Sequence, residues 1–151
     1  MKKTLSFAVS IRCPRSVVWQ AMLGAEDYKV WTAPFCEGSY FSGTWAKGQK
    51  IQFLSPGGDG MVAVIAEYRP HEHVTIQHLG EIRGGVEDTT GPAVREWAPA
   101  YENYSFADEN GVTVVTVSLD TLPAWEAYMT ETYPKALAVL KELCESRAKA
   151  E

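Results

Sequence analysis

The sequence predicts an α+β fold in which a curved antiparallel sheet wraps around a long C-terminal helix. Three observations predict it. The chain opens on one alternating strand and a short helix, continues through β-like segments punctuated by glycine, and closes on one amphipathic helix. A sheet curved around a single helix tends to enclose space, so a pocket is the first functional expectation.

Residues 4–12 alternate in period two, with Phe7, Val9 and Ile11 on one face, which predicts the first strand. Pro14 has the fixed φ that suits a first helical turn, and Val17, Val18, Trp19, Ala21 and Met22 follow as a short helix. After Gly24, residues 26–31 form a second brief helical piece ended by Pro34. Strands are then predicted around residues 40–41, 51–54 and 61–68, joined by hairpins, with Gly57-Gly58-Asp59-Gly60 as one of the turns. Further strands follow at 74–79, 101–107 and 112–119, the last two joined through Asn110-Gly111. The charged, Gly/Pro-rich stretch 84–99 is expected as an insertion, either a lid at the pocket mouth or a solvated excursion without a role. From Pro123 onward Trp125, Met129, Tyr133, Ala136, Leu137, Leu140, Leu143 and Cys144 recur at helical steps, with a kink or restart expected at Pro134.

A chain of 151 residues is expected to form a single domain over 1–151, and at that size about 70% of the unfolded surface can be buried on folding. With 46% hydrophobic and 22% charged residues, the composition is that of an ordinary globular domain. No apolar run approaches the ~20 residues of a spanning helix, so no membrane span is expected. A net charge of −5 and the absence of a basic stretch argue against nucleic acid as a partner. The three cysteines, Cys13, Cys36 and Cys144, form no C-x-x-C pair, which argues against a disulfide framework or zinc knuckle and fits a cytoplasmic protein. His71-Glu72-His73 follows Pro70 at a turn and lacks a third ligand at recognisable spacing, so neither a metal nor another cofactor is expected.

Three segments carry a family resemblance. These are Cys13-Pro14-Arg15-Ser16-Val17-Val18-Trp19; Trp31 followed by Phe35, Gly38, Phe41 and Gly43; and Glu67-Tyr68-Arg69-Pro70-His71-Glu72-His73-Val74. Together with Tyr133-Pro134-Lys135-Ala136-Leu137 in the last helix, they resemble the START-like (SRPBCC) superfamily, and within it the AHSA1-like branch named for the activator of Hsp90 ATPase. The resemblance implies the helix-grip fold, with a cavity that in various members holds lipids, hormones, polyketides or other apolar molecules. The stretch 84–99 departs from the common pattern at the cavity mouth.

Strand parity supplies a lining independently of the resemblance. Val115, Val117 and Leu119 share one face, Tyr104 and Phe106 point the same way on the preceding strand, and that parity brings Glu102 inward. Val74 and Ile76 place His78 on the inner face of theirs. A buried His-Glu pair would orient a ligand or move a proton; the competing reading is a structural pair, or a polar strand end reaching solvent. Large rings fill cores as readily as they line cavities. The predicted ligand-binding set is therefore Trp31, Tyr68, Ile76, His78, Glu102, Tyr104, Phe106, Val117, Leu119, Trp125, Met129 and Tyr133, with no catalytic residue assigned. The leading expectation is binding of a small hydrophobic or amphipathic molecule without turnover. The alternatives are an interaction module similar to the Hsp90 activator, with a protein partner or a second copy of the chain, and an enzyme acting on an aromatic or polyketide-like substrate through Glu102 or His78.

Overall fold

The computed structural model describes residues 2–150, and among them eight strands and four helices. In chain order these are β1 (Lys3–Ile11), α1 (Arg15–Leu23), α2 (Ala25–Trp31), β2 (Tyr40–Gly43), β3 (Lys50–Leu54), β4 (Gly60–Arg69), β5 (His73–Arg83), β6 (Val86–Asp88), α3 (Pro92–Arg95), β7 (Ala100–Glu109), β8 (Val112–Thr121) and α4 (Pro123–Ala150). The strands form one antiparallel sheet in the order β1-β8-β7-β5-β4-β3-β2, with β6 attached to β5. β1 pairs with β8 from Lys3 opposite Thr121 to Ile11 opposite Thr113, so the first strand is held by the last. Two irregularities in the β4–β5 pairing, at Val62/Ala63 and Ile65/Glu67, bend the sheet as bulges do. This is the predicted α+β helix-grip: the curved sheet holds α4, which packs on β1, α1 and α2.

Burial follows the predicted parity. On β8, Val115, Val117 and Leu119 are buried while Val114, Thr116 and Ser118 are half-buried, and on β5 the buried set runs Val74, Ile76, His78. On α4, Tyr133, Ala136, Leu137, Leu140 and Cys144 form the buried stripe at three- and four-residue steps. They meet Ile11, Val18, Met22 and Trp31 in the core, where the Trp31 indole N–H donates to the Met22 carbonyl at 3.0 Å. Cys144 sits there beside Cys13, and burial pushes its thiol up to about 12, which keeps it un-ionised and inert at neutral pH.

Three local expectations need correction. Stretch 84–99 is not a structureless insertion: β5 runs on to Arg83, turns through Gly84-Gly85 and returns as β6. Both glycines have positive φ, 56° and 83°, the conformation a two-residue hairpin turn demands, and the short α3 that follows buries Val94 completely. Pro134 does not restart the helix; α4 is one element through it, and the residue lies on the exposed side. Pro14 stands one position before α1 as its N-cap rather than inside the first turn.

Candidate functional site

Between the N-terminal half of α4 and the sheet lies a cavity of two joined lobes. The first, ≈ 410 Å³, is walled largely by aromatic rings, Tyr104 of β7 among them. α2 and the turn after it supply Tyr28, Trp31 and Phe35, β3 supplies Phe53, and α4 supplies Trp125, Tyr128 and Tyr133. Tyr28 and Trp31 reach the same wall because they are three residues apart on one helical face, and their rings meet edge to face at 5.7 Å. The second lobe, ≈ 380 Å³, lies toward the ends of β7 and β8 and is lined by Trp97, Ala100, Leu119 and Leu122. Gly60, Met61, His78, Glu102, Trp125 and Met129 line both.

Glu102 is the polar centre. Ile76 lies opposite it in the β5–β7 register, which sets His78 diagonally across from it on the inner face. The His78 ring contacts Glu102 Oε1 through Nε2 at 2.9 Å. On the other oxygen, Tyr104 donates its hydroxyl to Oε2 at 3.3 Å and Tyr133 donates to the same atom in a closer contact. Burial pushes the Glu102 carboxyl up, but His78, by hydrogen bond and charge, and the two tyrosine hydroxyls outweigh it and hold the group below the ordinary carboxylate range. Burial, reinforced by the Glu102 charge, drives Tyr104 and Tyr133 well above the usual phenol range, so they remain neutral donors. The cluster is thus a buried carboxylate with three donors. One group in it is unmatched: Nδ1 of His78, a residue only 6% exposed, is buried without a hydrogen-bond partner.

Of the predicted ligand-binding residues, Trp31, His78, Glu102, Tyr104, Trp125, Met129 and Tyr133 come together in the wall of the first lobe, and Leu119 lies in that of the second. The other four are placed elsewhere. Tyr68 and Phe106 pack edge-on against Trp19 of α1, with ring centroids 5.5 and 5.1 Å away, and Ile76 and Val117 are fully buried in the core. Parity identifies the inner face of the sheet, but α1 covers one end of that face and leaves the cavity to the other. Sequence reasoning missed Tyr28, Phe35, Phe53 and Tyr128. Tyr28 and Tyr128 each lie three residues from a named tryptophan on the same helix, and Phe53 shares strand parity with buried Ile51, so those three had a readable signal; Phe35, in a loop, had none.

Elsewhere, His73 spends both ring nitrogens on Ser105 and Thr75, each at 2.8 Å. Among the described residues no group of three or more His, Cys, Asp or Glu is placed to hold a metal ion, and no helix is long and apolar enough to cross a membrane.

A curved antiparallel sheet gripping a C-terminal helix is a helix-grip fold, and solved structures share it. Among solved structures the chain is similar to the Aha1 dimer from Colwellia psychrerythraea, with a TM-score of 0.72 and 18% identity over 95% of this chain and 96% of that one. It is also similar to CalU16 from Micromonospora echinospora, with a TM-score of 0.67 and 13% identity over 99% of this chain and 80% of that one. DynU16, from the dynemicin biosynthetic locus, gives 0.66 and 15% over 92% of this chain, which spans 46% of that longer protein. At these identities the likeness establishes the fold alone. No protein-family model and no curated protein sequence matches the chain.

Proposed function

We propose that this chain is a single START-like domain of the cytoplasm that binds a small hydrophobic or amphipathic molecule between its sheet and α4. The observation that carries the reading is the cavity itself: aromatic walls converge on one buried polar cluster, the composition expected of a site where apolar burial supplies affinity and a few polar groups set orientation.

Native mass spectrometry of the purified protein, gently ionised and then denatured, tests it directly. An extra mass lost on denaturation identifies a copurifying ligand, and Trp125→Ala should remove that mass while leaving the fold intact, because Trp125 lines both lobes yet is 55% exposed. A ligand retained unchanged by the folded variant would count against this cavity as its site.

A second reading, contact with another protein or a second copy of the chain, is supported by one feature. Trp125 and Tyr128, both exposed, stack edge to face at 6.1 Å on α4, and the Colwellia neighbour is a dimer. Sedimentation over a hundredfold range of concentration separates the readings: a concentration-independent monomer sinks self-association.

A further inference from the structure

The side-chain donors that line the first lobe are mostly committed inside the protein. Trp31 donates to Met22, Thr32 to Tyr28, Ser39 to Cys36, Ser55 to Asp59 and Tyr128 to Phe35, in each case to a main-chain carbonyl. His78, Tyr104 and Tyr133 donate to Glu102. The Tyr28 hydroxyl and the indole N–H of exposed Trp125 also belong to this wall, and neither is bonded to another described residue. What the polar cluster has left is acceptors. A carboxylate accepts about four hydrogen bonds, two on each oxygen. Both places on Glu102 Oε2 are filled, by Tyr104 and Tyr133, whereas Oε1 receives only His78 and keeps one place open. Glu102 lines both lobes with 15% of its side chain exposed, so its three donors do not seal it from the cavity. His78 adds no donor in the neutral ring: the proton sits on Nε2, facing Glu102, and Nδ1 is left with a lone pair.

Resting on the reading that this cavity is a ligand site, we infer that its ligand is a neutral aromatic molecule carrying a hydroxyl, which donates its O–H to Glu102 Oε1. The aromatic body lies in the first lobe among Trp31, Phe35 and Phe53. The ligand oxygen is then free to accept from Tyr28, whose phenol is kept neutral by burial and by the Glu102 charge. A ketone or an ether can also accept from Tyr28, so Tyr28 does not discriminate among oxygen functions. Glu102 does. A ligand that brings only an acceptor displaces water from the carboxylate and returns no hydrogen bond to it, which costs desolvation without compensation.

The test uses three neutral ligands with one ring system: naphthylethanol, its methyl ether and naphthylacetone, each titrated into the intact protein at neutral pH by calorimetry. Apolar burial alone ranks the ether above the alcohol, because the ether buries one more methyl group. The expected order is the reverse, with the alcohol roughly tenfold or more tighter than either the ether or the ketone. In Glu102→Gln the side-chain amide both donates and accepts, so the preference for the alcohol should shrink to about threefold or less. A folded variant that keeps the full preference overturns Glu102 as the acceptor. Should the variant not fold, the order in the native protein decides alone. An ether or ketone that binds the native protein as tightly as the alcohol overturns the donor inference and leaves the cavity reading standing. Absence of binding by all three overturns both.

Discussion

At the scale of single residues the molecule turns on Glu102. A carboxylate this deeply placed persists because His78, Tyr104 and Tyr133 all donate to it, and removing one donor leaves a buried charge short of a partner. Tyr133→Phe should therefore cost about 1.5–3 kcal/mol in chemical denaturation, as expected for a hydrogen bond to a charged group. Tyr104→Phe should cost less, because its contact is the longer one. Equal losses would mean that the two hydroxyls share the charge evenly. The same carboxylate makes stability depend on acid. Its pKa in the folded protein lies below the ordinary 4.5, so its contribution is complete above that pH and is lost as pH falls through the folded value. Glu102→Gln should flatten the acid limb of a stability-against-pH curve, leaving the shallower slope of exposed Glu87 and half-buried Glu145, which are also held low. An unchanged acid limb would place the titration elsewhere.

At the scale of elements, close backbone approach and helix geometry give the sharper expectations. Gly60 opens β4 against β3, and a Cβ there would lie 1.8 Å from the Phe53 carbonyl oxygen, a contact with main chain that no side-chain movement relieves. Gly60→Ala should break the end of the β3–β4 pair and lower the midpoint of thermal unfolding by several degrees, as expected for a cost of about 1–3 kcal/mol. Pro134 acts in the opposite direction. It sits inside α4 on the exposed face, where it supplies no backbone donor to the preceding turn, so Pro134→Ala should raise stability; a loss would show that the ring itself packs usefully. The elements were largely legible in the sequence because alternation in β5, β7 and β8 and the stripe on α4 are local patterns. Stretch 84–99 was not, because Gly84-Gly85 works there as a hairpin turn, and β6 is only three residues long, too short to alternate visibly. His78 and Glu102 were legible as inward residues, but their contact depends on the β5–β7 register, which no single strand encodes.

At the scale of the whole molecule, what the sequence could not supply is volume. Which inward residues face empty space depends on where α1 and α2 lie over the sheet: Phe106 ends beneath Trp19 while Tyr104, two residues earlier on the same face, ends in the cavity wall. A cavity of this kind leaves a thermodynamic signature, because a ligand that binds only the folded state stabilises it by mass action, by about 2.7 kcal/mol at a hundred times its dissociation constant. For a chain of this length that corresponds to a rise in Tm of roughly 5–10 °C. Met61 allows the source of the shift to be located, since it lines both lobes, is only half-buried, and lies opposite Phe53 and Glu81 in the β3 and β5 pairings. Met61→Trp should fill much of the cavity from its floor while the unliganded protein melts near its usual temperature. Naphthylethanol, a neutral aromatic probe expected to raise the Tm of the native chain through apolar burial, should then raise that of the variant little or not at all. A shift of equal size in both proteins would mean that the molecule binds outside the space between the sheet and α4.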